Sequence, residues 1–188
     1  MIPAEFGATP WGRAWIRTIE STTAAGPNPL LPKARSLARN HAVTLTTEAG
    51  RVEAEVKVSG ATQRVRIDLP TWPPRQREDA ERLIAKALAD NRGLATGDLP
   101  DALEASLREH DIGIAVALDE QEAVCDCRTR KRPCVHILAT IYALGQRVDE
   151  RPVLAVELWS AGVEVVTTPA DPDWVVLGDI DPATFYGD

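Results

Sequence analysis

The sequence is organised around one short stretch, Cys125-Asp126-Cys127-Arg128-Thr129-Arg130-Lys131-Arg132-Pro133-Cys134-Val135-His136. This stretch contains all three cysteines of the 188-residue chain. Three thiolates and one imidazole are a ligand set that Zn²⁺ takes in tetrahedral structural sites. We therefore expect Cys125, Cys127, Cys134 and His136 to bind one structural zinc ion.

The spacing of the four residues predicts which elements carry them. Side chains at i and i+2 point to the same face of an extended segment, so Cys125 and Cys127 can bind one ion from a strand. Positions i and i+2 do not face each other on a helix. Cys134 is therefore expected in the turn before a helix, with His136 in its first turn and Gly145 at its end. The pattern predicts a strand pair and a helix joined by one ion.

The order Cys-x-Cys, six residues, Cys-x-His resembles the SWIM zinc finger, a module found with Swi/Snf-type ATPases, transposases and many small bacterial proteins. Three further segments resemble the bacterial SWIM proteins. They are Phe6-Gly7-Ala8-Thr9-Pro10-Trp11-Gly12-Arg13-Ala14-Trp15-Ile16, Leu37-Ala38-Arg39-Asn40 and Asp181-Pro182-Ala183-Thr184-Phe185-Tyr186-Gly187. The resemblance implies binding to nucleic acid or protein, with a helicase-like ATPase of the Swi/Snf type as the partner.

Other roles exist for the four candidate ligands. A buried cysteine without a metal and a hydrogen-bonded histidine are common, and Cys125 and Cys127 could form a redox pair. A redox pair leaves Cys134 and His136 unexplained. A catalytic zinc keeps one open coordination position, whereas four protein ligands fill the shell. The pattern therefore favours a structural zinc site.

Four cations lie between the second and third candidate ligands: Arg128, Arg130, Lys131 and Arg132. A basic loop held by a metal suits contact with phosphates, so these residues are the candidate nucleic-acid contacts. The same charges could instead stabilise the thiolates, because Zn²⁺ with three thiolates carries a net charge of about −1. The loop has no aromatic residue for base stacking, which leaves sequence-specific single-strand recognition unsupported.

The chain lacks the signatures of several other classes of protein. It has no phosphate-binding glycine loop, no dinucleotide-binding fingerprint and no Cys–His pair outside the metal motif, so we expect no enzymatic activity. No segment is long and apolar enough to cross a membrane. Three cysteines assigned to one metal suit a reducing cytoplasm better than a disulfide scaffold, so we expect a cytoplasmic protein.

The net charge of −7 is unevenly distributed. Residues 137–188 carry Arg147 and Arg151 against nine acidic residues, which accounts for the whole net charge. Such asymmetry can mark an interaction segment or a solvated acidic surface. The body of the chain is balanced in charge, so the total does not argue against nucleic acid.

The fold class predicted is α+β, an antiparallel sheet with helices and the CxCx6CxH zinc finger. Three regions are expected: 1–114 with a helix, a three-stranded sheet and further helices, 115–147 as the zinc finger, and 148–188 as a helix and an acidic irregular segment. Predicted strands lie at 42–47, 51–58, 63–69 and 112–118, followed by the strand bearing Cys125, with short ones at 163–166 and 174–177. Predicted helices lie within 1–20 and at 75–91, 101–110 and 151–159, and residues 21–34 are expected to form a loop.

The function predicted is a non-enzymatic zinc-binding accessory protein that binds nucleic acid, DNA rather than RNA, together with a protein partner and no membrane. The alternative is a protein–protein adaptor in which the zinc finger is only a structural staple. A third reading is a thiol redox sensor built on Cys125 and Cys127.

Overall fold

A four-stranded antiparallel sheet forms the centre of the fold, with its strands in chain order. The computed structural model describes residues 6–20, 28–91, 93–118, 120–129 and 132–160. The strands are β1 (Val43–Glu48), β2 (Arg51–Val58), β3 (Ala61–Asp68) and β4 (Glu122–Cys125). Each strand pairs with the next in antiparallel register. The sheet and the helices described below confirm the α+β class.

The two faces of the sheet differ in their exposure to water. Along β2, Val52, Ala54 and Val56 are buried, while the residues between them are exposed. This period of two is typical of an antiparallel sheet that covers the core with one face. The predicted second strand is confirmed at both ends, and the first and third lie within two residues of the predicted positions. Alternation of polar and apolar residues therefore predicts these three strands correctly.

Six helices complete the described part of the chain. They are α1 (Pro10–Glu20), α2 (Leu31–Arg39), α3 (Pro74–Asp90), α4 (Asp101–Glu109), α5 (Val135–Glu150) and α6 (Val153–Glu157). The central one is α5, which contacts all four strands and packs against α1 and α2. Apolar side chains bury it on nearly every side, including Ile137, Leu138, Ile141, Leu144 and Val148. A helix surrounded in this way belongs to the core.

The predicted N-terminal helix is confirmed as α1. Trp11 and Trp15 lie one turn apart and are both fully buried, with Ile16 and Ile19 beside them. The loop predicted over residues 21–34 is wrong from residue 31 onward, because α2 begins at Leu31. Proline is tolerated in the first turn of a helix, where its missing N–H has no partner to lose, and Pro32 occupies that position.

Two other predictions from the sequence are wrong, and a third is confirmed only in part. No strand forms within the described part of residues 112–118, although Ile112, Ile114 and Val116 are buried. The alternating residues in this segment are buried in the core, but the segment does not pair with a strand. The helix predicted at 151–159 is confirmed only over Val153–Glu157. Gly145 does not end the zinc-finger helix, since α5 continues to Glu150.

Gly145 is instead a point of close approach between α5 and α1. A methyl group at Gly145 would lie 2.7 Å from Ile16 Cδ1, so the absence of a side chain lets the two helices touch. Gly12 of α1 plays the same part toward α5, because a methyl group there would lie 2.2 Å from Asp149 Oδ1. The two glycines allow the terminal and central helices to pack at backbone distance.

Asp149, near the end of α5, holds the start of α1. Its carboxylate accepts hydrogen bonds from the backbone N–H groups of Gly7 at 2.7 Å, Ala8 at 3.1 Å and Thr9 at 2.8 Å. The Thr9 hydroxyl donates a fourth bond at 2.8 Å. These N–H groups lie in the segment just before α1, and the carboxylate supplies the hydrogen-bond acceptor that each of them needs. The FGATPWG segment is therefore a structural joint with α5.

One hydrophobic core runs across the predicted region boundaries. It contains Trp15 from the N-terminal part, Ile141 from the finger helix and Trp159 beyond it. Trp159 stacks on Trp72 at a centroid distance of 5.8 Å. The division of the chain at residues 115 and 148 stays a prediction. The short strands predicted at 163–166 and 174–177, and the acidic segment that contains them, lie outside the described residues.

No helix in the described ranges combines the length and the apolar character needed to cross a bilayer.

Candidate metal centre

The first two predicted ligands stand at the end of β4. Cys125 is the last residue of the strand and lies opposite Val65 of β3. The pairing continues one residue further, since the Asp126 N–H donates to Arg64 O at 3.1 Å. The Asp126 side chain returns a bond by accepting the Arg64 N–H at 3.0 Å. These contacts fix the backbone between the two cysteines to the sheet.

The other two predicted ligands stand at the start of α5. Cys134 is the N-cap residue with φ −82° and ψ 168°, and His136 lies in the first turn. Extended backbone at the cap turns the chain into the helix, which lets a cysteine before the helix and a histidine within it face the same point. The predicted placement of Cys134 and His136 is confirmed. Rigid packing of α5 in the core fixes this half of the centre.

The four side chains meet at one point. Their ligand atoms all lie within 4.8 Å of one another. The His136 Nδ1 atom is 3.7 Å from Cys125 Sγ and 4.0 Å from Cys134 Sγ. Zinc–sulfur bonds of about 2.3 Å and zinc–nitrogen bonds of about 2.0 Å in a tetrahedron separate the ligand atoms by roughly 3.5 to 3.8 Å. The donor set and its separations fit one tetrahedral zinc ion.

The thiols differ in how readily they lose their protons. Burial raises the pKa of Cys125 to about 12. Burial also acts to raise the pKa of Cys127, but the Thr129 N–H and the His136 ring outweigh it, and this pKa falls to about 6. Zinc binds thiolates, so its uptake at neutral pH must release the Cys125 proton. Cys127 is the half-exposed ligand, and its lowered pKa favours the thiolate form that zinc binds.

Comparison with known proteins bears on this centre directly. Residues 115–145 match the family model of the SWIM zinc finger. This segment is a SWIM zinc finger. The match contains all four candidate ligands and ends inside α5. The Cys3His group is positioned to hold one structural zinc ion.

The similarity to known proteins extends beyond the finger. The chain is 30% identical over 156 residues to the uncharacterized protein Rv2102 of Mycobacterium tuberculosis, which covers 79% of this chain and 53% of that protein. The chain therefore spans about half the length of this relative. No solved structure matches the chain significantly.

Arg132 forms hydrogen bonds within the SWIM finger. Its Nη1 atom donates to Cys127 Sγ at 3.6 Å and to Thr129 O at 2.7 Å, and its Nη2 atom donates to Cys125 O at 3.1 Å. The hydrogen bond to Cys127 holds the pKa of the guanidinium above its ordinary value. N–H groups directed at a ligating sulfur stabilise the thiolate form. Arg132 therefore braces the metal centre from the loop side.

The other loop cations differ from Arg132. Arg128 follows Cys127 directly, is exposed, and makes no ion pair with any residue that the structure describes. Arg130 and Lys131 lie outside the described residues. Within the described part of the chain, Arg128 thus has no ion pair, whereas Arg132 contacts the zinc ligand Cys127.

Two supporting residues were only partly recognisable in the sequence. The sequence shows Asp126 as a charge between two cysteines, and the structure adds its hydrogen bond to the β3 backbone. It shows Arg132 as one of four similar cations, and the contact with Cys127 depends on how the loop folds back. Asp149 gave no local signal, because its partners lie 140 to 142 residues away.

Proposed function

We propose that this chain is a non-enzymatic zinc-binding module that binds DNA through the loop of its SWIM finger and acts together with a protein partner. The observation that carries the proposal is Arg128, which is exposed, has no ion pair among the described residues and directly follows the zinc ligand Cys127 beyond the end of β4. Arg130 and Lys131 add two further cations to the same loop. Zinc ligands on both sides of the loop limit its freedom, which lowers the entropy lost when it contacts a phosphate.

Phosphate contacts position a protein on nucleic acid without reading its sequence. The loop offers arginine and lysine side chains and no aromatic residue. Stacking on unpaired bases, the usual means of single-strand recognition, therefore has no support here. This favours binding to the backbone of duplex DNA with little preference for sequence.

The test is the salt dependence of DNA binding. Each phosphate contact adds about 0.9 to the slope of log affinity against log salt. The triple variant Arg128→Ala, Arg130→Ala, Lys131→Ala should flatten this slope by about 2 to 3 units and weaken binding to all duplex sequences alike. Arg132 is left in place because it contacts Cys127. Binding is measured by anisotropy of a labelled duplex with zinc-saturated protein.

A matched control removes three exposed cations from α3 by Arg75→Ala, Arg82→Ala and Lys86→Ala. This variant has the same net charge as the loop variant and should keep the slope of the wild type. An equal loss in both variants, or an unchanged slope in the loop variant, would contradict the proposal that the loop binds DNA.

The proposed protein partner is a helicase-like ATPase of the Swi/Snf type, on the strength of the family resemblance alone. A module without catalytic residues of its own can supply DNA affinity to such a motor. Affinity capture from the native cell extract, with and without nuclease, tests this proposal. An ATPase that remains after nuclease treatment supports it, and capture of no ATPase in either arm contradicts it.

A second candidate function is a protein adaptor that does not touch DNA. The observation that favours it is the outer face of the sheet, which no described helix covers. Val124 on this face is 56% exposed, a large value for an apolar side chain. It borders a shallow depression of 670 Å³ with Thr44, Thr46 and Glu53. An exposed apolar residue on a polar face is a common anchor at protein interfaces.

The two candidates are separated by Val124→Lys. If the outer face is the main binding surface, this variant should lose the captured protein and keep zinc. If the finger loop carries the function, Val124→Lys should bind duplex DNA with the affinity of the wild type or slightly better, because it adds a cation. Loss of protein capture together with no DNA binding in the wild type would establish the adaptor.

A further inference from the structure

The zinc-binding end of the sheet brings together residues that are distant in sequence. At this end, here called the finger end, β1 begins, β2 ends, β3 begins and β4 ends. The Lys57 N–H donates to Ala42 O at 2.8 Å, which places the chain just after α2 beside the end of β2. Lys57 stands opposite Thr62 of β3. Arg64, two residues further along β3, pairs with Asp126 of the finger.

Exposed cations accumulate at the finger end. Arg39 is the last residue of α2, Lys57 is the last but one of β2, and Arg128 is the third residue after the end of β4. All three are exposed, and none forms an ion pair within the described ranges. We call these three residues the cationic rim. They come from three different elements, so no local run of sequence marks them as one surface.

Two of the other cations at the finger end already have partners. Arg64 lies 3.6 Å from Asp126, and Arg132 donates to the zinc ligand Cys127. Glu55, two residues before Lys57, is an exposed carboxylate near this end. The rim therefore retains a net positive charge after its neighbours are counted.

At the opposite end of the sheet, acidic side chains outnumber the free basic ones among the residues described. Arg51 and Arg66 both bind Asp68, at 2.8 and 2.9 Å. Glu48 and Glu122 are exposed at this end without an ion pair among the residues described. The charge is thus separated along the strands, although the chain as a whole carries −7. A protein with an acidic total can still orient a cationic end toward phosphates.

We infer that the cationic rim, Arg39 and Lys57 together with Arg128, forms one contact surface for the backbone of duplex DNA. This inference rests on the proposed function and extends its site from the loop to α2 and β2. The distance from the start of β1 to the end of β4 is three strand spacings, about 15 Å. About four successive phosphates of one DNA strand cover the same length along the helix axis. The rim therefore matches a short stretch of backbone.

The test uses the full-length, zinc-saturated protein and a labelled DNA duplex of mixed sequence. The double variant Arg39→Ala, Lys57→Ala leaves the finger loop intact. Its slope of log affinity against log salt, measured between about 50 and 200 mM, should fall by about 1.8 for two lost phosphate contacts. The matched control Arg75→Ala, Lys86→Ala removes two exposed cations from α3 and should keep the wild-type slope. Zinc content and thermal melting are recorded for each protein.

A second rim variant, Arg39→Gln, Lys57→Gln, keeps the apolar stems and removes only the charge. It should reproduce the loss of slope even if the alanine variant folds poorly. If the wild type binds DNA and the glutamine variant keeps its slope, the rim is overturned while the proposed loop contact stands. Equal losses in the rim and α3 variants also overturn it, since net charge alone then explains the effect. A wild type without DNA affinity overturns the proposed function and the rim together.

Discussion

Arg132 shows at the scale of one residue why charge in a loop is not enough to assign a role. Its guanidinium donates to a zinc ligand and to two backbone carbonyls of the same loop. These bonds close the loop from Cys125 to Arg132 around the metal. Arg128, with the same charge, makes no such contact among the described residues. Similar side chains in one loop thus divide between supporting the metal and facing solvent.

Removal of the Arg132 contacts should loosen the metal without abolishing its binding. We expect Arg132→Ala to release zinc to a chromogenic chelator on the order of ten times faster than the wild type, the size typical for a lost partner of a metal ligand. Arg128→Ala removes an equal charge and should release zinc at the wild-type rate. Arg132→Lys keeps the charge but lacks the forked N–H donors of arginine. It should therefore release zinc nearly as fast as Arg132→Ala. Equal release from Arg128→Ala and Arg132→Ala would show that charge alone matters.

At the scale of elements, the contact between the start of α1 and the end of α5 is the feature that we expect to stabilise the fold. Asp149 accepts four hydrogen bonds at the start of α1, and Gly12 lies directly against its carboxylate. The joint connects the last turn of the finger helix to the chain at the start of the N-terminal helix. Neither residue acts alone.

A double-mutant cycle tests this joint. Asp149→Ala leaves three backbone N–H groups and a hydroxyl without their partner and should cost about 2 to 4 kcal/mol of unfolding free energy. Gly12→Ala in the wild type should cost about 1 to 3 kcal/mol by overpacking. In the Asp149→Ala background, Gly12→Ala should be close to neutral, because the carboxylate that it meets is gone. Thermal and denaturant unfolding of zinc-saturated protein give the free energy of unfolding of the wild type, the two single variants and the double variant. Additive losses in the double variant would show that Gly12 and Asp149 are not coupled.

Elements with a strong local period could be predicted from sequence, and elements defined by their neighbours could not. The alternation in β2 and the tryptophans of α1 predict those elements well, since each carries its own pattern. Residues 112–118 alternate equally well, but they pack in the core without a pairing strand. Gly145 has the residue type of a helix end, and only the closeness of Ile16 explains it within α5.

The metal centre was the most predictable part of the site for the same reason. Its ligands form two pairs at i and i+2. The first pair suits an extended chain, and the apolar period that follows the second pair predicts a helix starting there. The hydrogen bonds that support the ligands are not marked by a local spacing. The Asp126 bond to β3 and the Arg132 bond to Cys127 depend on how the loop folds back, which no local spacing encodes.

At the scale of the whole molecule, the acidic C-terminal part of the chain could inhibit DNA binding by the basic finger loop. Residues 137–188 hold nine acidic residues. Asp149 is engaged at the start of α1, and the others could compete with phosphates for the finger loop. Deletion of the residues after Gly178 removes Asp179, Asp181 and Asp188. The shortened protein should bind duplex DNA modestly more tightly at low salt, and the difference should shrink as salt screens the charges. Equal affinities at low salt would discard this competition.

We expect the fold to depend on its zinc ion. Structural zinc sites contribute on the order of 10 kcal/mol, and here the ligands connect the end of the sheet to the start of the central helix. The purified protein should therefore contain one zinc ion per chain. The variant Cys134→Ser, which loses a buried ligand at the cap of α5, should bind zinc weakly.

The most direct measurement is thermal melting of the wild type and Cys134→Ser, with zinc content determined on the same samples. We predict one zinc ion per wild-type chain and a large loss of melting temperature both in Cys134→Ser and in wild type treated with a chelator. Restored zinc should restore the melt of the wild type only. A wild type that is purified without metal and melts at the same temperature with and without added zinc would contradict the account.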